Sequence, residues 1–158
     1  MKIIRADEFY NREAVAKDVK NLYIFTDNTD RDSGKGEISN DSWYSKKYGN
    51  GKHYPKVTSA LIRGLDNAYP ITTQRWYNKK HKGVFGRWTD KDIDEFKRVI
   101  DEDFNEITSN LGKYENIIFP IGGIFNSKIA NISESRTPVL HSYLFNKCKE
   151  LLSLTQQI

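Results

Sequence analysis

The chain has 158 residues, the size of one domain of ordinary length. Hydrophobic residues make up 37% and charged residues 29%, but 13% are aromatic, which argues against a disordered chain. The single cysteine, Cys148, excludes a disulfide framework, and no apolar run or amino-terminal stretch has the length of a membrane span or a signal peptide. We therefore expect a cytoplasmic protein whose net charge of +4 permits an anionic partner without requiring one.

Two strands and a short helix are predicted in the first 26 residues. Lys2–Arg5 is typical of a short strand, and Asn11–Val19 is typical of a short helix. The apolar residues on one side of this helix are Ala14, Val15 and Val19. Leu22–Thr26 is a continuous run of residues that favour β-structure, which indicates a strand buried on both faces.

The middle of the chain is irregular. Glycines among polar residues predict loops from Asp27 to Tyr54, and Val57–Ile62 predicts a helical turn. Another strand is predicted over Ala68–Thr73. Pro70 places it at a sheet edge or at a strand start, because proline has no amide hydrogen to donate.

The last third is strongly patterned. Thr89 or Asp90 can cap a long helix whose apolar residues recur at the helical period, at Ile93, Phe96, Ile100, Phe104, Ile107 and Leu111. Asn116–Pro120 predicts a second buried strand, and Thr137 followed by Pro138 predicts the start of a terminal helix. The residues of that helix expected to face the core are Leu140, Tyr143, Leu144, Cys148, Leu151 and Leu152.

Strands and helices in this order indicate an α/β fold with three layers and a largely parallel or mixed sheet. We expect a single domain over residues 1–158. It would contain an irregular, ligand-facing insert at about residues 27–89 and a frayed tail at 154–158.

Two predicted strands end in polar loops that suit a ligand. Asp27 and Asn28 follow the first buried strand and can hydrogen-bond a base or ribose, although a local turn would use the same residues. Gly122 and Gly123 follow the second, and their backbone amides suit phosphate. Further donors and one positive charge come from Asn126, Ser127 and Lys128. Ligands of α/β sheets bind beyond the carboxyl ends of the strands, where these loops are expected.

A basic and aromatic loop extends from Arg75 to Trp88 without an acidic residue. Trp76 and Trp88 can stack on a base while the basic residues hold phosphates, which makes the loop a candidate ligand wall. The competing interpretation is a solvated loop with its tryptophans docked on the core.

Other chemistry has little support in the sequence. The three histidines have no metal-ligand spacing, and the acids from Asp27 to Asp32 lack the glycine and glutamate of a calcium loop. Cys148 lies within the terminal helix and is expected to be a buried apolar residue. We therefore expect no metal and no cofactor, and we favour binding over catalysis.

Three segments resemble, in order, the motifs of a family of small bacteriophage and bacterial proteins. Residues 23–36 are similar to F-G-D-N followed by an arginine, here Arg31, and by G-x-G. Residues 62–73 are similar to I-R-x-x-x-N-A-x-G-I-P-T-K, and residues 117–130 to I-V-F-P-x-D-G-x-G-T-G-L-A. The resemblance covers roughly residues 20–152. That pattern in turn resembles macro domains, which bind ADP-ribose.

The resemblance implies a macro-like or Rossmann-like fold that binds a small phosphorylated nucleotide derivative, either ADP-ribose-like or a cyclic signalling nucleotide. Asp27 and Asn28 would face the nucleoside, and a phosphate loop would extend from Gly122 to Lys128. The residues that would line the ribose or phosphate side are Arg63, Asn67, Thr72 and Thr73. In a phage, such a protein would sequester a defence signal in the host cytoplasm.

Three alternatives remain open. A hydrolase or phosphatase could act on the same ligands with Asp27 activating water, and residues 75–88 could bind single-stranded nucleic acid. Exposed aromatic residues could instead anchor a protein-interaction inhibitor. A homo-oligomer is compatible with each of them.

Overall fold

The computed structural model describes residues 1–28, 59–74, 88–125 and 132–156. The strands are β1 (Lys2–Arg5), β2 (Asn21–Asn28), β3 (Ala68–Gln74) and β4 (Asn116–Phe119). The α-helices are α1 (Arg12–Lys17), α2 (Ile93–Asn110) and α3 (Pro138–Gln156). Short 3-10 turns are formed by Ser59–Ile62, Asp90–Asp92 and Leu111–Lys113.

The described strands form one parallel sheet in the order β1-β4-β2-β3. This confirms the predicted α/β fold. The two apolar runs expected to be buried on both faces are β2 and β4, which occupy the middle of the sheet. The strand that contains Pro70 lies at the edge, as its missing amide hydrogen predicted.

Helical elements cover both faces of the sheet, which gives three layers. On one face, α2 and α3 pack on Leu22, Ile24 and Ile117, all of which are fully buried. On the other face, Val15 of α1 and Ile62 of the turn before β3 pack on Phe25. The predicted apolar sides of α2 and α3 face the sheet, because burial of apolar surface is the main favourable contribution to folding.

Helix α1 is shorter than the sequence predicted. Asn11 caps it, its side chain accepting a hydrogen bond of 3.0 Å from the Ala14 amide. The helix ends at Lys17, since Asp18 leaves the helical conformation. Of the apolar residues predicted on one side of this helix, only Val15 is buried, since Val19 is 67% exposed and Ala14 is exposed as well.

The helical period of the last third is confirmed, with two differences in α3. The apolar stripe of α2 is buried from Phe96 to Ile107. Leu152 was expected to face the core but is 45% exposed. The helix also continues to Gln156 with Thr155 buried, so the chain is ordered through much of the tail expected to fray. Within the described residues, no helix is long and apolar enough to cross a membrane.

Candidate functional site

The carboxyl ends of the four described strands lie at one edge of the sheet, because all the strands are parallel. Along the sequence, β3 follows β2 and pairs with it on one side, and β4 then pairs with β2 on its other side. The turn that leads into β3 packs on the face of α1, whereas the helix after β4 packs on the opposite face. The order of the sheet therefore reverses between β2 and β4, where open α/β sheets bind their ligands.

Strand β4 ends before β2 does at this edge of the sheet. Their pairing stops at Tyr23 and Ile118, and β4 ends one residue later, whereas β2 continues to Asn28. The Tyr10 hydroxyl lies where the pairing stops and donates a hydrogen bond of 2.7 Å to the Ile24 carbonyl, 3.2 Å from the Ile118 carbonyl. Burial of Tyr10 raises the pKa of its phenol. We call the region beyond the end of β4, beside the longer strand β2, the crevice.

Asp27 and Arg63 form a buried ion pair beside the crevice. Arg63 Nε donates to Asp27 Oδ2 at 2.9 Å, and Arg63 Nη2 donates to Asp27 Oδ1. The side chains are 5% and 1% exposed for Arg63 and Asp27. Arg12 of α1 holds the backbone of this segment, donating to the Arg63 carbonyl at 2.7 Å and to the Leu61 carbonyl at 2.8 Å. The pair therefore joins β2 to the chain before β3 and balances the Asp27 charge.

The end of β3 is irregular and buried. Asp27 pairs with Thr72, but the next residue of β2 pairs with Gln74, so Thr73 is an extra residue in the ladder. A bulge of this kind redirects the side chains beside it, and bulges are common next to functional sites. Thr72 is fixed by Asp103 of α2, whose Oδ2 accepts from the Thr72 amide at 2.8 Å and hydroxyl at 2.7 Å. Thr72 and Thr73 therefore lie beside Asp27 at the end of the sheet, and both are buried.

The chain turns sharply after β4. The Gly123 amide donates to the Pro120 carbonyl at 2.8 Å, and Gly123 has a φ of +66°, which favours glycine. Gly122 is exposed at the tip of this turn. The turn forms the β4 side of the crevice, since β4 reaches the same edge of the sheet as β2.

Asn67 lies away from this edge, since it directly precedes β3 at the amino end of the sheet. Its side-chain amide donates to the carbonyls of Val15 and Asp18 at 2.9 and 3.0 Å, so it stabilises the connection between α1 and β2.

Trp88 is buried. It is 2% exposed and packs edge-on against Phe96, with ring centroids 5.3 Å apart. Trp88 is therefore a core residue, which fits the competing interpretation in which the tryptophans dock on the core.

Some predicted site residues lie outside the described parts of the chain, namely Arg31, Arg75, Trp76, Asn126, Ser127 and Lys128. Asn28 is described as the last residue of β2. The predictions for the basic aromatic loop therefore remain predictions, except for Trp88.

The sequence reasoning missed Tyr10, Arg12, Ser59 and Asp103. Asp103 had a usable signal, because an acid stands within the apolar stripe of α2 between Val99 and Ile107. Ser59 Oγ lies 3.1 Å from the amide and hydroxyl of Thr26, and no spacing in the sequence connects these residues.

Metal and thiol chemistry have little support in the described residues. Those residues contain no group of three or more histidine, cysteine or acidic side chains that could hold a metal. Burial raises the pKa of the Cys148 thiol to about 12, which disfavours the reactive thiolate. Cys148 is half-buried and packs against the core, so it is less buried than the sequence predicted.

Comparison with known proteins identifies the family of the chain. A family model described as a family of unknown function, DUF7831, matches residues 5–147. The chain belongs to this family. Comparisons with curated proteins and with solved structures give no significant match.

Proposed function

We propose that the chain, as a member of this family, binds a small phosphorylated nucleotide derivative between the ends of β2 and β4. The ligand class that we propose is ADP-ribose or a cyclic signalling nucleotide. The observation that carries the proposal is the extension of β2 beyond the end of β4, where the order of the sheet reverses.

The two walls of the crevice differ in chemistry. On the β2 side the buried Asp27 carboxylate is balanced by Arg63, so the pair gives this wall no excess of either charge. A wall without net charge suits the uncharged nucleoside end of a ligand. On the β4 side the exposed backbone of Gly122 allows a phosphate to approach the main chain closely, since glycine has no Cβ. This asymmetry supports a ligand with a neutral polar end and an anionic end.

The Asp27–Arg63 pair favours binding over hydrolysis. A general base must present an oxygen to the water it activates. Both oxygens of Asp27 accept hydrogen bonds from Arg63, and the carboxylate is buried. We therefore expect ligand that has been incubated with the protein to be recovered unchanged after denaturation. Conversion of the ligand would instead support the hydrolase alternative.

Calorimetric titration with a nucleotide panel tests the binding proposal. The panel contains ADP-ribose, a cyclic mononucleotide and a cyclic dinucleotide, with adenosine as the ligand that lacks phosphate. Saturable binding of at least one phosphorylated ligand below about 1 mM, with weaker binding of adenosine, is expected. Absence of saturable binding across the panel would refute the proposal.

Two variants at Gly123 test where the phosphate lies. Asn and Asp both tolerate the positive φ of this position, and a Cβ there meets no atom within 4 Å. Gly123→Asp adds a negative charge that the uncharged Gly123→Asn does not. We expect at least about 10-fold weaker binding by the Asp variant than by the Asn variant, from charge repulsion alone.

The control is Gly112→Asp, which adds the same charge at the amino end of β4, where the new Cβ also meets no atom within 4 Å. It should bind as the wild type does. Equal affinities of Gly123→Asp and Gly123→Asn would place the phosphate away from the β4 turn.

A further inference from the structure

A groove lies between the first turns of α2 and α3, on the outer side of the helical layer. Its volume is about 400 Å³. Ile93 of α2 and Pro138 and Val139 of α3 give it an apolar surface, and Val139 is 49% exposed. The ring of Tyr143 forms part of the wall between them. An apolar groove of this size suits one large hydrophobic side chain.

The groove also has a lysine that is available to an anion. Lys97 Nζ lies 5.4 Å from the centre of the Tyr143 ring, and Lys97 forms no salt bridge with another described residue. Lys147, on the other side of this ring, is instead paired with Asp101 at 3.2 Å and with Glu150 at 3.6 Å. The groove therefore combines an apolar surface with the ammonium group of Lys97 at its rim. That group interacts electrostatically with Asp101 but forms no salt bridge with it.

The chain itself carries a segment of complementary chemistry. Phe9 is 81% exposed, the largest exposed fraction among the large hydrophobic residues that the structure describes. It follows Asp7 and Glu8, which are exposed and form no salt bridge with a described residue. The segment is short and held at both ends. The Ala6 amide is bonded to the Phe119 carbonyl at 2.8 Å, and α1 begins three residues after Phe9.

We propose that Phe9 of one copy of this chain inserts into the α2–α3 groove of a second copy, with Asp7 or Glu8 facing Lys97. The residue after Phe9, Tyr10, packs on the face of the sheet that carries α1. The groove lies on the opposite helical layer. Phe9 therefore does not fill the groove of its own copy in this structure, whereas two copies related by a two-fold axis can fill each other's grooves.

Sedimentation velocity over protein concentrations from about 1 to about 100 µM tests this dimer. The wild type should associate reversibly to a dimer. Phe9→Ser removes the anchor from both contacts and should weaken association about 100-fold or more. Because Phe9 is exposed, this variant should unfold in urea as the wild type does. Val19→Ser, which alters another exposed apolar residue, is the matched control and should dimerise as the wild type does.

Charge reversal tests the pairing of the two surfaces. Lys97→Glu should weaken the dimer, as should the double change Asp7→Lys with Glu8→Lys. Combining all three changes in one chain should restore association, because the complementary charges are exchanged. A wild type that stays monomeric over the whole range would overturn the proposal. A dimer of equal strength in Phe9→Ser and Val19→Ser would also overturn it.

Discussion

At the residue scale, the Asp27–Arg63 pair limits what these two side chains can do in the candidate site. Both residues were predicted to contact ligand, and the structure pairs them with each other instead, using both carboxylate oxygens. A buried charge that loses its partner is strongly destabilising, because its desolvation is no longer compensated. The pair is therefore expected to act on the ligand through the position of β2 and not as a free charge.

Substitution of Arg63 tests this role. Arg63→Met should lower the free energy of unfolding by about 3–5 kcal/mol, because it leaves Asp27 buried without its main partner. Adding Asp27→Leu should restore part of the loss, which urea denaturation of the two single variants and the double variant will measure.

The matched control is Arg98→Met on the surface of α2. The side chains of Arg98 and Glu102 are each 62% exposed and form a salt bridge with an N–O distance of 3.1 Å. Loss of this salt bridge should lower the free energy of unfolding by less than about 1 kcal/mol. Equal losses from Arg63→Met and Arg98→Met would contradict the role of the buried pair.

At the element scale, helix α2 packs against β3, the strand at the edge of the described sheet. β3 pairs with β2 along one side and, among the described strands, with none along the other. The Thr72 amide therefore donates to Asp103 of α2 instead of to another strand. A sheet edge whose amides are bonded to a helix is protected from pairing with another chain. The same contact fixes the end of β3 beside Asp27 of β2.

Asp103→Ala is expected to loosen this edge. It removes the acceptor of two Thr72 hydrogen bonds and should cost about 1–3 kcal/mol for the buried amide left unsatisfied. Hydrogen exchange at the Thr72 amide should become faster, more than at the central strand β2. Glu102→Ala, at the exposed neighbouring position, should leave this exchange unchanged. Unchanged exchange at Thr72 in Asp103→Ala would contradict the assignment.

At the scale of the whole molecule, buried tyrosines connect stability to alkaline pH. Burial raises the pKa values of Tyr10, Tyr23 and Tyr69 above their ordinary value near 10. Burial and a hydrogen bond to Asp101 raise the pKa of Tyr143 to about 12. Each phenol stays protonated in the folded chain at a pH where the unfolded chain has lost the proton. The contribution of each phenol is therefore complete below about pH 10 and is lost as the pH rises through its folded pKa.

We therefore predict that the urea midpoint falls steadily above about pH 10. Tyr143→Phe should be less stable than the wild type at neutral pH, since the Asp101 bond is lost, but its stability should fall less steeply between about pH 10 and pH 12. Urea denaturation at several pH values compares the two proteins. Parallel pH profiles would show that the Tyr143 phenol does not titrate differently in the folded state.

Most helices and strands could be predicted from the sequence alone, because the apolar spacing along α2 and α3 and the continuous apolar runs of β2 and β4 are local properties. The missing amide hydrogen of Pro70 restricted β3 to a sheet edge or a strand start, and among the described strands β3 lies at the edge. Because the order of strands and helices indicated parallel strands, the sequence also placed Asp27 and Gly122 near one edge.

Which of the polar residues contact each other, and in which structural role, depends on tertiary packing. Asp27 and Arg63 are 36 positions apart and Thr72 and Asp103 are 31 apart, so their pairing depends on how the layers pack. Two other predicted site residues also have structural contacts that depend on tertiary packing, since Asn67 lies at the amino end of the sheet and Trp88 lies in the core. Residue type alone could not distinguish a ligand contact from a structural contact. A polar or aromatic side chain near a strand end is suited to both, and only its neighbours in the folded chain show which contact it makes.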